Sequence, residues 1–144
     1  MKLLVLPIMH LEDEMSERIE WIPSYAVNRP DLDTQHKELF RLIGDLSGDL
    51  DAKQVKTSIF YLFKYTRIHF VTEEFLLMET GYPEFKSHKR LHEELLSRLS
   101  EFADMDFHDE PSVLEFKEFA NEWLSSHILE EDLKYARYLK ENGL

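Results

Sequence analysis

The sequence predicts an all-α protein, an up-down-up-down four-helix bundle preceded by an N-terminal extension. Apolar residues repeat at helical spacing in four long segments, and the strict alternation typical of strands is not sustained over any of them. The 4 Gly and 5 Pro fall in the few places that separate these segments. Four amphipathic helices joined by short loops favour a bundle of this topology.

The first two helices are predicted over residues 33–47 and 54–80. Pro23 and Pro30 keep segment 21–31 out of helical conformation, and Gly81-Tyr82-Pro83 is typical of a helix end. The inward-facing apolar residues of these two helices are Leu39, Phe40, Ile43 and Leu46, then Ile59, Leu62, Phe63, Phe70 and Leu77.

The third and fourth helices are predicted over residues 84–102 and 112–141, separated by a loop that ends at Pro111. Because 144 residues suit one hydrophobic core, we expect a single domain over 1–144, with the bundle at about 33–141 and the extension at 1–20. The inward-facing residues of these helices are Phe85, Leu91, Leu95, Leu99 and Phe102, then Phe116, Ala120, Trp123, Leu124, Tyr135 and Leu139.

Composition limits the class of partner. The formal net charge of −12 argues against nucleic acid and anionic membranes, which need surfaces rich in Lys and Arg. No cysteine is present, so neither a disulfide nor a thiolate ligand is possible, which suits a cytoplasmic protein. The apolar run Leu3–Ile8 is too short to span a bilayer and no cleavage site follows it. We therefore expect residues 1–20 to pack on the body of the protein or on a partner.

Five of the seven histidines lie on the apolar faces of the predicted helices, and each helix contributes at least one. Five buried neutral imidazoles would need five separate polar partners, since an unmet buried polar group is costly. A shared metal centre satisfies all five at once. His10 and His108 fall outside this pattern, and the five inward-facing histidines are His36, His69, His88, His92 and His127.

Acidic residues accompany two of these histidines at helical spacing. Glu73 follows His69 by one turn, whereas Glu74 lies about 140° away from His69 and is predicted to be a solvated acid. After His127, Glu131 lies about 40° round the helix and Asp132 about 140°. The helical angle alone favours Glu131, which would point in nearly the same direction as His127. The spacing does not decide between Glu131 and Asp132 as the ligand.

Taken together, these motifs resemble the hemerythrin family in its bacterial, single-domain form. The resemblance covers about residues 20–140. It is carried by Leu32-Asp-Thr-Gln-His-Lys-Glu-Leu-Phe40, His69-Phe-Val-Thr-Glu-Glu74, His88-x3-His92, and Trp123-Leu-Ser-Ser-His-Ile128 with Asp132. The chain departs from the family pattern in its longer N-terminal extension and at Val27–Pro30, where a glycine is common.

The resemblance implies two iron ions joined by an oxo or hydroxo bridge. It assigns His88, His92 and His127 to one iron and His36 and His69 to the other, which keeps an open position. It also assigns Glu73 and Asp132 as bridging carboxylates, and therefore favours Asp132 over Glu131. Residues Trp123, Leu124 and Ile128 are expected to line an O2 pocket, although plain core packing explains their burial equally well.

The implied function is reversible O2 binding at a non-haem di-iron centre, by a carrier, store or sensor that is not an enzyme. The alternative is a di-iron enzyme with peroxidase-like or NO-handling activity on the same scaffold. A third hypothesis is an interaction module with a structural metal such as zinc, which nitrogen-rich sites bind more tightly than Fe(II).

Overall fold

A computed structural model describes residues 19–144, which contain helices and no strands. A short 3-10 turn at Pro23–Tyr25 precedes the helices, and a π-helical segment joins the last two of them. The helices are α1 at Pro30–Gly44, α2 at Ala52–Glu79, α3 at Phe85–Ala103, α4 at Glu110–Ser126 and α5 at Leu133–Glu141, and the π-helical segment is His127–Asp132. The predicted all-α four-helix bundle is confirmed, with α4, the π-helical segment and α5 forming the fourth helix. The expected docking of residues 1–18 lies outside the described residues.

Local sequence signals set the helix ends. Helix α1 begins three residues before its predicted start, because Pro30 occupies the first turn, where its fixed φ and missing N–H are compatible with a helix. Helix α2 begins with a capping box, in which the Asp51 side chain accepts from the Gln54 backbone N–H and the Gln54 side chain accepts from the Asp51 N–H. At the start of α4, the Asp109 side chain accepts from the Ser112 backbone N–H as an N-cap.

The interior contains two apolar clusters, separated by a layer of buried polar side chains that is called the polar level below. On α1, His36 lies between Leu32 of the smaller cluster and Leu39 of the larger one. Glu73 on α2 lies in the same way between Phe70 and Leu77. All the inward-facing residues predicted for the fourth helix are buried. The fold therefore places one polar level between two layers of apolar packing, away from water.

None of the helices in residues 19–144 has the length and apolar character needed to cross a membrane.

Candidate metal centre

Seven histidine and carboxylate side chains meet at the polar level of the bundle. Each is at most 2% exposed, and they come from all four helices of the bundle. Such burial is rare for ionisable groups unless they are paired or hold a metal. The seven residues are His36 on α1, His69 and Glu73 on α2, His88 and His92 on α3, and His127 and Asp132 on the π-helical segment.

The seven side chains divide into two sets that could each hold a cation. In each set, one potential ligand atom per residue lies within 4.8 Å of the others. Glu73 belongs to both sets, so it is positioned to connect two metals. The three-histidine set is Glu73, His88, His92 and His127, and the two-histidine set is His36, His69, Glu73 and Asp132.

The two oxygens of Glu73 face different sets. Oε1 lies 2.7 Å from His88 Nε2 and 3.1 Å from His92 Nε2. Oε2 lies 3.3 Å from His69 Nε2 and 3.5 Å from His36 Nε2. A carboxylate that presents one oxygen to each of two neighbouring sites has the geometry of a bridging ligand.

Asp132 divides its oxygens in the same manner. Its Oδ1 lies 3.1 Å from His127 Nε2 and 3.3 Å from His88 Nε2. Its Oδ2 lies 3.0 Å from His36 Nε2. The two carboxylates thus connect the two sets from different parts of the chain, one on α2 and one after α4.

The π-helical segment explains how Asp132 reaches the centre. An α-helix would turn Asp132 about 140° away from His127 and leave Glu131 closer to its face. Hydrogen bonds from residue i to residue i+5 instead place Asp132 one turn beyond His127 on the same face. Asp132 is accordingly 0% exposed, whereas Glu131 is half-buried and outside both sets. The facing preference for Glu131 is wrong because it assumed regular α-helical geometry.

Two side chains outside the sets hold histidine rings in place. His92 Nδ1 donates to Glu74 Oε2 at 2.8 Å, and His69 Nδ1 donates to Gln35 Oε1 at 2.6 Å. These contacts fix the tautomers, since both oxygens can only accept. The prediction that Glu74 is a solvated acid is wrong, because α3 packs against α2 and brings His92 to it.

The fixed tautomers show that the centre needs a cation. Because His69 donates through Nδ1 and burial lowers its pKa, the lone pair of its neutral Nε2 points at Glu73, 3.3 Å away. Two acceptors at such a distance repel each other. Among the described residues, Nε2 of His69 and both oxygens of Asp132 have no hydrogen-bond partner, although they are buried. Nitrogen and carboxylate donors of this kind are the ligands that divalent transition metals prefer.

Without a metal, protons supply the missing positive charge. Burial lowers the pKa of His36, but the carboxylates of Asp132 and Glu73, 3.0 and 3.5 Å from its Nε2, outweigh burial and raise it to about 10. Against burial, the same carboxylates raise the pKa of His88 to about 10 and that of His127 to about 9. Burial would raise the pKa of Glu73, but hydrogen bonds from the surrounding histidines hold it well below its usual range. Metal binding therefore has to displace protons.

A family model described as the hemerythrin HHE cation binding domain matches residues 29–139, well over half of the chain. The chain belongs to the hemerythrin family. One of the hemerythrin subunits of Sipunculus nudus is 31% identical over 123 residues, which cover 83% of this chain and 92% of that protein. Myohemerythrin of Theromyzon tessulatum is 31% identical over 122 residues, covering 85% and 94%. A bacteriohemerythrin of Pseudomonas aeruginosa is 32% identical over 107 residues, covering 72% and 70%.

The three residues expected to line an O2 pocket are all buried in the larger apolar cluster. Trp123 meets Phe70 edge to face, with ring centroids 6.3 Å apart. Phe70 in turn stacks on His92 at a centroid distance of 3.6 Å. The apolar cluster thus reaches the ligand level directly. Their role as an O2 pocket stays a prediction, and the residues concerned are Trp123, Leu124 and Ile128.

The sequence interpretation missed Tyr135. Its hydroxyl donates to Glu73 Oε2 at 3.1 Å, and its ring is fully buried in the smaller cluster. It was assigned only to core packing, because a tyrosine on an apolar face gives no signal of its own. Its position three residues after Asp132 was the available clue. His108, predicted to lie outside the site, is exposed at 83% of its side chain, and His10 lies outside the described residues.

We expect Asp132→Ala to lose at least one of two bound metals, because it removes the carboxylate oxygens that face His36 and His127. Glu131→Ala is the matched control and should keep both, since Glu131 lies outside the two sets. Metal per chain, measured by elemental analysis after gel filtration, distinguishes the two. An Asp132→Ala protein that retained two metals with an unchanged spectrum would contradict the role assigned to the π-helical segment.

We expect Glu74→Ala to weaken metal binding by about 10–100-fold, because the His92 ring loses the acceptor that orients it. Glu93→Ala is the control, since Glu93 is an exposed acid next to His92. Competition with a metal chelator measures both affinities. Equal affinities in the two variants would mean that the Nδ1 hydrogen bond does not support the site.

The metal-free protein should lose stability as the pH rises from about 6.5 towards about 10. His36 and His88 titrate near 6.5 when unfolded and near 10 when folded, so their stabilising effect is complete below 6.5 and disappears as the pH passes 10. Urea unfolding followed by circular dichroism measures this loss. The metal-loaded protein should change much less, because metal rather than protons balances the carboxylates. The same loss in both forms would be evidence against proton substitution.

Proposed function

We propose that this protein binds O2 reversibly at a non-haem di-iron centre formed by the three-histidine and two-histidine sets. The observation that carries the proposal is the pair of buried sets that share Glu73. Members of the family bind non-haem iron and oxygen, and they are not enzymes. When bound, the two iron ions supply the position at which O2 binds and is released.

The ligand assignment follows the two sets. His88, His92 and His127 would hold one iron, and His36 and His69 the other. Glu73 and Asp132 would bridge the two irons, with an oxo or hydroxo group as the third bridge. This assignment is supported by the way in which each carboxylate presents one oxygen to each set. The iron with two histidines would keep the open position.

The ligand types favour holding O2 over cleaving it. Di-iron enzymes of the ferritin-like class use Glu-x-x-His motifs and more carboxylates. Here the carboxylates are two and the imidazoles five, so the centre carries less negative charge to stabilise high-valent iron. A peroxidase-like activity is the alternative, and no contact among the described residues favours it over O2 binding.

The protein around the centre excludes water and orients the ligands. Gln35 and Glu74 fix two histidine rings, and Tyr135 donates to Glu73. The proposed O2 pocket of Trp123, Leu124 and Ile128 presents apolar surface, which favours an uncharged ligand such as O2 over water. We further propose a cytoplasmic protein that does not bind nucleic acid, in line with its net charge of −12 and the absence of cysteine.

The test is reconstitution of the purified chain with Fe(II) in the absence of air. Iron per chain is measured, and visible spectra are recorded before O2, after O2 and after O2 is removed. We expect two irons per chain and an absorption band that appears with O2 and disappears on its removal. His69→Ala should abolish the band, whereas His108→Ala, which changes an exposed histidine, should leave it intact.

The other outcomes are equally decisive. A centre that oxidises once and never releases O2 would contradict reversible binding. Sustained turnover of peroxide well above the rate of free iron would instead support the enzymatic alternative. Preferential retention of zinc, with no band, would support a structural metal.

A further inference from the structure

The side chain of Gln35 on α1 contacts two residues of α2. Its Oε1 accepts from His69 Nδ1 at 2.6 Å, and its Nε2 donates to Thr72 Oγ1, 3.4 Å away. His69 and Thr72 are three residues apart, so their side chains occupy neighbouring positions on the same side of the helix. The amide of Gln35 therefore lies between a residue of the two-histidine set and a threonine outside both sets.

The direction of the Gln35 amide decides which nitrogen of a neutral His69 carries the proton. With Oε1 towards the ring, the proton is on Nδ1, and Nε2 has a lone pair for a metal. A reversed amide would present its NH2 group to Nδ1, and the proton would then be on Nε2, 3.3 Å from Glu73 Oε2. A protonated Nε2 has no lone pair for a metal. The group that orients the amide therefore controls whether the two-histidine set can receive a cation.

Thr72 is positioned to orient this amide. Its hydroxyl donates to the backbone carbonyl of Ile68, 3.1 Å away. A carbonyl oxygen can only accept, so this bond leaves Thr72 Oγ1 as an acceptor towards Gln35. An acceptor at this position calls for the NH2 group of Gln35, which directs Oε1 to His69. The series of hydrogen bonds thus begins at a backbone group that cannot reverse its role.

His92 in the three-histidine set is oriented differently. Its Nδ1 donates to Glu74 Oε2 at 2.8 Å, and an ionised carboxylate has two acceptors and no donor. Reversing the Glu74 carboxylate would therefore leave the proton of His92 on Nδ1. Only an amide has to be held in one direction, which is why the bond from Thr72 matters for His69.

We propose that Thr72 is a positioning residue, which holds the amide of Gln35 in the direction that keeps Nε2 of His69 available to a metal. Its importance for O2 rests on the proposed function, because His69 belongs to the set that would hold the iron with the open position. The positioning itself is a property of the metal-free chain and of its affinity for any divalent cation. The two proposals can therefore fail separately.

The first test is the zinc affinity of the full chain, measured by competition with a chelator. Thr72→Val keeps the branched Cβ but removes the hydroxyl, so both directions of the Gln35 amide become populated. Only a fraction of the molecules then has an available Nε2, and we expect the affinity to fall at least about twofold. Thr72→Ser should keep the wild-type affinity. Thr57→Val is the control, since Thr57 is exposed on the same helix and outside both sets.

Gln35→Glu separates positioning from packing. A carboxylate at position 35 accepts in either direction, as Glu74 does for His92, so the hydroxyl of Thr72 is no longer needed. We expect Thr72→Val to leave zinc affinity unchanged when it is combined with Gln35→Glu. An equal loss with and without Gln35→Glu would mean that Thr72 acts through packing, and would overturn the proposal.

The position of the proton is read by 15N NMR of the imidazole nitrogens in the metal-free chain. We expect the His69 proton on Nδ1 in the wild type and in Thr72→Ser, and partly on Nε2 in Thr72→Val, in proportion to the lost affinity. His92 is the internal control, because Glu74 accepts from its Nδ1 in every variant. Circular dichroism establishes that each variant keeps its helical fold. An unchanged His69 proton or an unchanged affinity in Thr72→Val overturns the proposal.

Discussion

The structure depends on one constraint, which is the meeting of buried lone pairs at the centre of the bundle. His69 is committed by Gln35 to a tautomer whose Nε2 atom points at Glu73. Neither the carboxylates nor this imidazole can donate into the centre, so the arrangement is unfavourable unless positive charge lies between them. In the proposed di-iron centre, metal ions would supply that charge. Protons on His36, His88 and His127 supply it in their absence.

The bundle meets this constraint by confining polar groups to one level. Each helix places its ligand residues between two apolar clusters, so water is excluded from above and below. The π-helical segment is the one departure from regular helix geometry that the site requires. It brings His127 and Asp132 to the same face without a loop, and π-helical turns of this kind occur frequently at functional sites.

The sequence predicted the helices well, because apolar periodicity and Pro and Gly positions are local signals. The same periodicity predicted that His36, His69 and His127 point towards the core. Contacts between helices were harder to predict. Glu74 contacts His92 only because α3 packs on α2, and the direction of a side chain on a single helix cannot reveal such a contact. Asp132 is different, since its position depends on a local change of hydrogen-bond register that regular helical angles do not include. Only the family resemblance favoured it over Glu131.

The polar level is proposed to hold two iron ions, and anomalous diffraction at the iron absorption edge tests this most directly. Crystals of the iron-loaded protein should show two peaks, one among Glu73, His88, His92 and His127 and the other among His36, His69, Glu73 and Asp132. Glu73 should contact both. A single peak, or peaks away from these side chains, would contradict the di-iron centre.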